Sequence, residues 1–210
     1  NGFTSYGEEY QTKLQSIYED FSDAAVDNAV SVLDEMRSYS AIWGGESLKF
    51  DMAANNTNVE VALMWSCDAG YVMNDYEDDD GVEHEGNRNM WYVVPKEGGN
   101  IYLDCFVISK YAKNTEAANY FLKFLCLKET ALKNSVYAGA ISPVKEAYDQ
   151  LYEEYTTDTS YAETSGQEWR DMYIDTLFPS AETLARCGTM RDFGDRDAAI
   201  SVKWADVRNR

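Results

Sequence analysis

A strand–turn–strand pattern in the middle of the chain constrains its fold more than any other feature. Residues 90–94 are mostly aromatic and β-branched, which favours a strand, and Pro95 ends the run. The Gly-Gly pair at 98–99 gives the backbone the freedom that a turn needs. Residues 101–108 are apolar with one exception, Asp104. The pattern therefore predicts two strands, with a carboxylate inside the second.

Asp104 needs a partner if this second strand is buried, because a buried carboxylate without one costs free energy. Two interpretations remain open. The partner is an ammonium group of a ligand, or Asp104 lies at the strand end, where it caps a helix or meets a lysine. Tyr102 precedes Asp104 by two residues, so both side chains face the same side of a strand. This spacing favours a joint role for the two residues.

The charge of the chain restricts the kinds of partner that it can bind. Acidic residues number 37 and basic residues 18, a formal net charge of −19 over 210 residues. Nucleic acids and anionic membrane surfaces attract basic proteins, so neither is an expected partner. The charge is compatible with a cationic ligand. No apolar stretch is long enough to span a membrane, and hydrophobic residues, at 45%, suffice for a packed core.

No pattern in the sequence indicates a metal, a cofactor or a catalytic centre. The four cysteines follow no zinc-binding spacing, and the single histidine, His84, lacks the partners of a metal site or a triad. The acidic loop 74–89 fails as a calcium loop. If Gly81 took the glycine position, Tyr76 would fall where the first carboxylate ligand belongs. We expect neither a metal nor a cofactor.

Several segments show helical periodicity, and two of them begin at recognisable caps. Ser22 or Asp23 begins one helix, and Asn114 or Thr115 begins another, whose apolar residues are expected to face inward. Residues 156–166 are rich in threonine and serine and are interpreted as a linker.

One further apolar run completes the pattern from which the architecture is predicted. Residues 59–65 are almost continuously apolar and end at Trp65, which is typical of a parallel strand covered on both faces. Strands separated by helices predict an α/β fold with a mostly parallel sheet. In such sheets, ligands bind at the carboxyl ends of the strands, where Trp65 would lie.

Several segments, taken together and in this order, resemble the spermidine/putrescine-binding proteins of ABC importers. The first is similar to the family's strand that ends in a tryptophan of the site. The next two resemble its strand pair with the pattern PKEG…(W)xD, and the others resemble the helix that follows and the tail. These segments are 59–66 (VEVALMWS), 94–99 (VPKEGG), 101–104 (IYLD), 112–122 (AKNTEAANYFL) and 178–184 (FPSAETL).

The resemblance implies a fold, a ligand and a set of ligand-binding residues. The fold is the type II periplasmic solute-binding fold, with a three-layer αβα lobe, in an extracytoplasmic receptor that closes over a linear polyamine and delivers it to an importer permease. Trp65 would stack on the polyamine, Asp104 would pair with an ammonium group, Tyr102 would form an aromatic wall, and Tyr137 would add a hydroxyl or a ring. Aromatic faces attract cations, and a carboxylate holds an ammonium by a charge-assisted hydrogen bond.

The resemblance also implies that the chain is the C-terminal portion of a receptor, such as one fused to its permease. The first lobe would precede Asn1 and be largely missing. Residues 1–103 would form a second-lobe segment, 104–147 would belong to or cross toward the first lobe, and 148–210 would return to the second lobe and the C-terminal helices. The family's tail places a glutamine near Met190, so that polar contact is absent here.

Other functions remain open at this point. The same fold could bind thiamine or another small solute, or the chain could be a protein-interaction domain without catalysis. A glycosidase using Asp104 and Glu97 is less favoured, because the sequence offers no second buried acid. The remaining tryptophans are expected to be packing residues: Trp43, Trp91, Trp169 and Trp204.

Overall fold

The computed structural model describes residues 6–39, 43–45, 47–56, 58–77 and 81–209, so part of the acidic loop lies outside the described residues. The described chain is rich in helices and has two small sheets. In chain order the elements are α1 (Glu8–Tyr18), α2 (Asp23–Ser38), α3 (Leu48–Ala53), α4 (Ser66–Met73), β1 (Tyr76–Glu77), β2 (Glu83–His84), β3 (Gly99–Ile101), α5 (Thr115–Leu125), α6 (Lys128–Ala138), α7 (Lys145–Thr157), α8 (Ser160–Ser165), α9 (Gln167–Leu177), α10 (Ala181–Ala185), β4 (Cys187–Thr189), a 3₁₀ turn (Gly194–Arg196) and α11 (Asp197–Asn209).

The chain divides into two compact units, each built from separate stretches of sequence. Unit 1 comprises Asn1–Glu46, Val94–Tyr102 and Ala181–Arg210, and unit 2 comprises Ser47–Val93 and Leu103–Ser180.

Unit 1 contains a small parallel sheet with helix α1 packed against it. Strands β3 and β4 pair in parallel, with Gly99 opposite Cys187. The hydroxyl of Tyr18 on α1 donates a hydrogen bond of 2.6 Å to the carbonyl of Gly99. A Cβ atom on Gly188 would lie 2.7 Å from the Tyr18 ring, so only glycine lets the helix approach β4 this closely. The core of this unit includes Tyr10, whose hydroxyl donates at 3.1 Å to the Glu97 carbonyl.

Helices α2 and α11 form the other part of unit 1. Val207 on α11 is fully buried, and Arg37 on α2 donates a hydrogen bond of 2.6 Å to its carbonyl. Arg196, just before α11, pairs with Asp23 in the first turn of α2. Helix α2 begins as predicted, because the hydroxyl of Ser22 accepts a hydrogen bond from the amide of the third residue after it.

Unit 2 is built around an aromatic core contributed mainly by α4, α7 and α9. The rings of Trp169 and Tyr173 stack with centroids 5.1 Å apart, and both side chains are almost completely buried. Burial in this apolar surrounding raises the pKa of the Tyr173 phenol. The buried members of the cluster are Ala69, Met73, Leu151, Trp169, Tyr173, Leu177 and Phe178.

Arg88 connects the loop before residue 90 to this core. Its guanidinium lies over the rings of Tyr161 and Trp169, 4.9 and 5.1 Å from their centroids. It also pairs with Asp75 at 2.5 Å and donates to the carbonyl of Met73. Tyr161 belongs to α8, which occupies the segment predicted to be a linker. The linker prediction is wrong because this one ring packs on the core, although the residues around it are polar.

The predicted strands are the main point on which the structure differs from the sequence analysis. Only Gly99–Ile101 forms a strand in this region, and the parallel sheet is limited to its pairing with β4. Within the described part of the chain, residues 60–64 make no backbone hydrogen bond. Asp104 is exposed, so the expectation of a buried carboxylate is wrong. The described chain, rich in helices and with a small parallel sheet, is compatible with the predicted α/β fold of a solute-binding fragment.

Helix α5 begins where it was predicted but does not face inward. Asn114 caps it by accepting a hydrogen bond of 3.0 Å from the amide of Ala117. None of its residues is buried, and its aromatic side chains are exposed, among them Tyr120, Phe121 and Phe124. The prediction of an inward apolar face is therefore wrong for the 210-residue chain.

Candidate functional site

Trp65 lies immediately before helix α4, in unit 2. Its backbone is extended, with φ −70° and ψ 152°, and its carbonyl accepts the first helical hydrogen bond from Ala69 at 3.0 Å. Its neighbour Met64 packs against the aromatic core, and by the alternation of an extended chain the indole faces the other way. Trp65 is 44% exposed, so part of the residue can contact a ligand.

Tyr137 lies in the last turn of α6 and is 95% exposed. The helix ends at Gly139, which adopts a left-handed conformation with φ 64°. A Cβ atom there would lie 3.4 Å from the carbonyl oxygen of Cys67, in the first turn of α4. Trp65 and Tyr137 are each two residues from this contact, so the structure brings their helix ends together. Sequence reasoning missed Gly139, although a glycine after a helical pattern is the usual sign of such an end.

Asp104 lies near the start of the second stretch of unit 2, and its side chain is exposed. Within the described residues, its carboxylate has no hydrogen-bond or ion-pair partner. The interpretation in which Asp104 is neutralised by a lysine therefore has no support in that part of the chain. A carboxylate in this state can accept hydrogen bonds from an ammonium group.

Tyr102 belongs to unit 1, where it directly follows strand β3. The register pairs Ile101 with Thr189, so Tyr102 and Met190 follow paired residues at the carboxyl edge of the parallel sheet. The Met190 amide donates to the side-chain oxygen of Asn100 at 3.2 Å, which fixes the chain at this edge. The carboxyl edge is where parallel sheets bind ligands, and the role of Tyr102 stays a prediction.

The other tryptophans separate into one core residue and three that are not buried. Trp169 packs in the core, as predicted. Trp91 is exposed, so its assignment as a packing residue is wrong. Trp204 is half-exposed and meets the ring of Trp43 edge-on at 5.6 Å.

The aromatic cluster of unit 2 resembles a cation site, but the chain fills it with its own cation. The Arg88 guanidinium occupies the space over Tyr161 and Trp169. A ligand ammonium would have to displace this guanidinium together with its bond to Asp75. The cluster is therefore no candidate for the ligand site, and Trp65, Tyr102, Asp104 and Tyr137 stay the predicted ligand-binding residues.

Comparisons with known proteins agree with the resemblance seen in the sequence. Two curated relatives, the spermidine/putrescine-binding periplasmic proteins of Salmonella typhimurium and Salmonella typhi, are each 25% identical over 127 residues, 60% of this chain. The matched segment spans only 32% of the length of each relative. No solved structure matches the chain significantly.

Family membership rests on a longer match. The model of the bacterial extracellular solute-binding proteins matches residues 3–163. Among the residues that the structure describes, no helix is both long and apolar enough to cross a membrane. Solute-binding proteins are non-enzymatic and extracytoplasmic, and both expectations from the sequence are thereby confirmed. The chain belongs to the bacterial extracellular solute-binding proteins.

Proposed function

We propose that this chain is the polyamine-binding portion of an extracytoplasmic receptor that delivers spermidine or putrescine to an ABC importer permease. One observation carries the proposal. A Cβ atom on Gly139 would lie 3.4 Å from the carbonyl oxygen of Cys67, so the helix ends that hold Tyr137 and Trp65 lie close together, in the unit that also holds the exposed Asp104. The names of the two Salmonella relatives support the choice of ligand.

The chemistry of these side chains suits a linear polyamine. Such a ligand alternates apolar methylene groups with ammonium groups. An aromatic face attracts both, by dispersion and by cation–π interaction, which is worth about 0.5–2 kcal/mol. The Asp104 carboxylate then fixes one nitrogen. Tyr102 is included in the proposal as an aromatic wall on the basis of the sequence alone.

The net charge of the chain supports a cationic ligand in a second way. A charge of −19 gives the protein a negative field that raises the local concentration of a polycation. This attraction depends on ionic strength, because exposed charges are screened beyond about 10 Å at 0.1 M salt. It speeds the encounter and does not select between polyamines.

We further propose that the chain is the C-terminal portion of a type II receptor, most of whose first lobe lies outside residues 1–210. The exposed apolar residues of 104–147 support this division, since Phe121 and Phe124 on α5 are more than half exposed in the described part of the chain. In the proposed receptor, residues 1–103 and 148–210 belong to the second lobe. The relatives are long enough to contain a further lobe, because the match spans 32% of their length.

Titration of the full-length protein with spermidine tests the proposed ligand, with intrinsic tryptophan fluorescence or calorimetry as the readout. We expect Asp104→Asn to weaken spermidine binding by about tenfold or more, since a charge-assisted hydrogen bond is worth about 1.5–3 kcal/mol. Trp65→Ala should weaken it by up to about tenfold.

Matched controls come from the same unit. Asp51 is an exposed carboxylate and Trp91 an exposed indole. Asp51→Asn and Trp91→Ala are expected to leave the affinity within about twofold of the parent value. A protein that binds no spermidine, or that binds it equally well after Asp104→Asn, contradicts the proposed function. Tighter binding of thiamine in the same assay would favour the alternative solute.

A further inference from the structure

The side chain of Lys49 on α3 is held by a carboxylate and lies beside two aromatic rings. Its ammonium nitrogen lies 2.6 Å from Oδ1 of Asp68 on α4, which makes a charge-assisted hydrogen bond. The same nitrogen lies 5.7 Å from the centroid of the Phe50 ring and 6.0 Å from that of the Tyr71 ring, the outer limit of a cation–π contact. The two rings meet edge-on, with centroids 5.5 Å apart. One carboxylate and two rings therefore contact one ammonium group.

This group of side chains lies at the surface of unit 2 rather than in its core. The side chains of Lys49 and Asp68 are 21% and 18% exposed, and Phe50 is 52% exposed. Helices α3 and α4 pack against each other, and Met52 in α3 is almost completely buried. The position of the carboxylate therefore does not depend on the lysine alone, and the lysine can reach water.

The chemistry of Lys49 matches one end of a linear polyamine. A lysine side chain ends in an ammonium group on a flexible four-carbon chain. Putrescine carries an ammonium group at each end of the same chain, and spermidine carries an aminobutyl group at one end. The atoms that hold the end of Lys49 are therefore suited to the aminobutyl end of either ligand.

Asp68 also lies in the part of unit 2 that contains Trp65. Trp65 immediately precedes α4, and Asp68 is the third residue of that helix. Helical side chains tilt toward the N-terminus of their helix, and one at the third position can reach back to the residue before it. A linear ligand stacked on Trp65 can therefore extend its terminal ammonium group to Asp68.

We propose that Asp68, Phe50 and Tyr71 form an aminobutyl site, a binding position for one end of a polyamine, which Lys49 fills in this structure and which the ligand takes by exchange. The inference rests on the proposed function, because it places a second ammonium group of the same ligand. Lys49 is then an internal competitor. It lowers the apparent affinity for the polyamine according to the fraction of molecules in which it fills the site.

Such an exchange is easier at Asp68 than at the aromatic cluster around Arg88. At Asp68 one alkylammonium group replaces another and makes the same hydrogen bond, while the displaced ammonium group passes into water. Over Tyr161 and Trp169 an ammonium group would replace a planar guanidinium that also donates to a backbone carbonyl. The two internal cations therefore differ in how readily a polyamine displaces them.

Lys49→Met tests the exchange, because methionine keeps an unbranched apolar side chain and removes the ammonium group. Spermidine is titrated into the full-length protein and binding is measured by calorimetry. We expect Lys49→Met to bind spermidine about fivefold more tightly or better, since no internal ammonium group competes. An ion pair with a purely structural role predicts equal or weaker binding.

Two controls separate competition from the change in net charge. Lys145→Met makes the same change of charge in unit 2, at an exposed lysine that pairs with Asp149, and should leave the affinity within about twofold of the parent value. Asp68→Asn in the Lys49→Met background should remove the gain. Lys49→Gln serves as a second neutral variant, and circular dichroism checks that each variant is folded.

Chemical rescue tests the site without a polyamine. In Lys49→Ala, n-butylammonium chloride at about 0.1 M should raise the melting temperature of the full-length protein by about 2 °C, because it refills the site. Tetramethylammonium chloride at the same ionic strength has no N–H group to donate and should not do so. Equal melting temperatures in the two salts overturn the aminobutyl site.

The outcomes of the titration separate this inference from the proposed function. Equal or weaker binding by Lys49→Met and Lys49→Gln overturns the inference alone if spermidine binding still depends on Asp104. A gain that survives Asp68→Asn also overturns it. Spermidine binding by no variant refutes both. A gain that depends on Asp68, in a protein indifferent to Asp104→Asn, supports the aminobutyl site and contradicts the role proposed for Asp104.

Discussion

The ion pairs of unit 1 and the aromatic core of unit 2 make different contributions to stability. In unit 1, ion pairs between accessible side chains connect the first part of the sequence to the last, as in Arg196 with Asp23 and Arg191 with Glu19. In unit 2, aromatic rings pack around Trp169. Exposed ion pairs contribute little individually, whereas a buried aromatic side chain contributes several kcal/mol. We therefore expect single substitutions in the aromatic core of unit 2 to cost more stability than substitutions at the accessible ion pairs of unit 1.

The largest effect is expected from Trp169→Ala. This change removes the stacking on Tyr173, the ring beneath Arg88 and the hydrogen bond to Met90, and leaves a cavity. We expect a loss of about 3–5 kcal/mol in the free energy of unfolding. Urea denaturation followed by far-ultraviolet circular dichroism measures it. Trp204→Ala in unit 1 is the control, and an equal loss there would contradict the proposed difference between the units.

A smaller effect is expected from Arg88→Leu. The change removes the cation above two rings and leaves Asp75 without its 2.5 Å partner. We expect a loss of about 1–3 kcal/mol. Arg88→Lys keeps the charge but not the planar contact, so its stability should lie between that of the parent protein and that of Arg88→Leu. Arg191→Leu in unit 1 removes an ion pair of 3.3 Å between half-exposed groups and should cost less than about 1 kcal/mol. Equal losses for the two leucine variants would argue against this ranking.

Alkaline pH is expected to weaken unit 2 through its tyrosines. Burial raises the pKa of Tyr173 and of Tyr161, so both stay protonated in the folded chain at a pH where the unfolded chain ionises. Their contribution is complete below the ordinary tyrosine pKa of about 10 and is lost as pH rises above it. Urea midpoints from pH 8 to 11 measure the decline.

The tyrosine hypothesis has its own control in unit 1. Tyr173→Phe should flatten the decline above pH 10, because phenylalanine carries no proton to lose. Burial also raises the pKa of Tyr10. Tyr10→Phe therefore measures how much of the loss of stability above pH 10 arises in unit 1. A decline that Tyr173→Phe leaves unchanged would show that other groups cause it.

The smallest effect is expected from the ion pairs of unit 1. A hydrogen bond and the positive charge of Arg196 hold the pKa of Asp23 below its ordinary value. This contribution is present above a pH of about 4 and is lost as pH falls below it. Arg196→Ala should change the urea midpoint less than Arg88→Leu does. The change should nearly vanish in about 1 M NaCl, where the screening length is near 3 Å. A larger change that resists salt would contradict the comparison.

Local signals allowed the helices to be predicted better than the strands. The side chains of Ser22 and Asn114 cap their own helices, so the information lies within a few residues. A strand needs a hydrogen-bonding partner that is remote in the sequence, and the apolar run 59–65 does not identify one. Helix α8 was missed for a related reason, since the ring of Tyr161 finds its support in α9.

The candidate site shows the same division between local and remote information. Trp65 and Asp104 could be chosen from the sequence as residue types suited to a cation. Their accessibility could not be predicted, because the exposure of a side chain depends on which parts of the chain surround it. The contact of Gly139 with the first turn of α4 joins positions far apart in the sequence, and no local pattern indicates it.

The exposed thiol of Cys105, directly after Asp104, has a practical consequence. It gives the protein a built-in attachment point for an environment-sensitive dye within one residue of the proposed ammonium partner. In a Cys126→Ser background, which removes the other exposed thiol, a maleimide dye would be directed to this position. The native sequence thus offers the starting material for a fluorescent polyamine sensor.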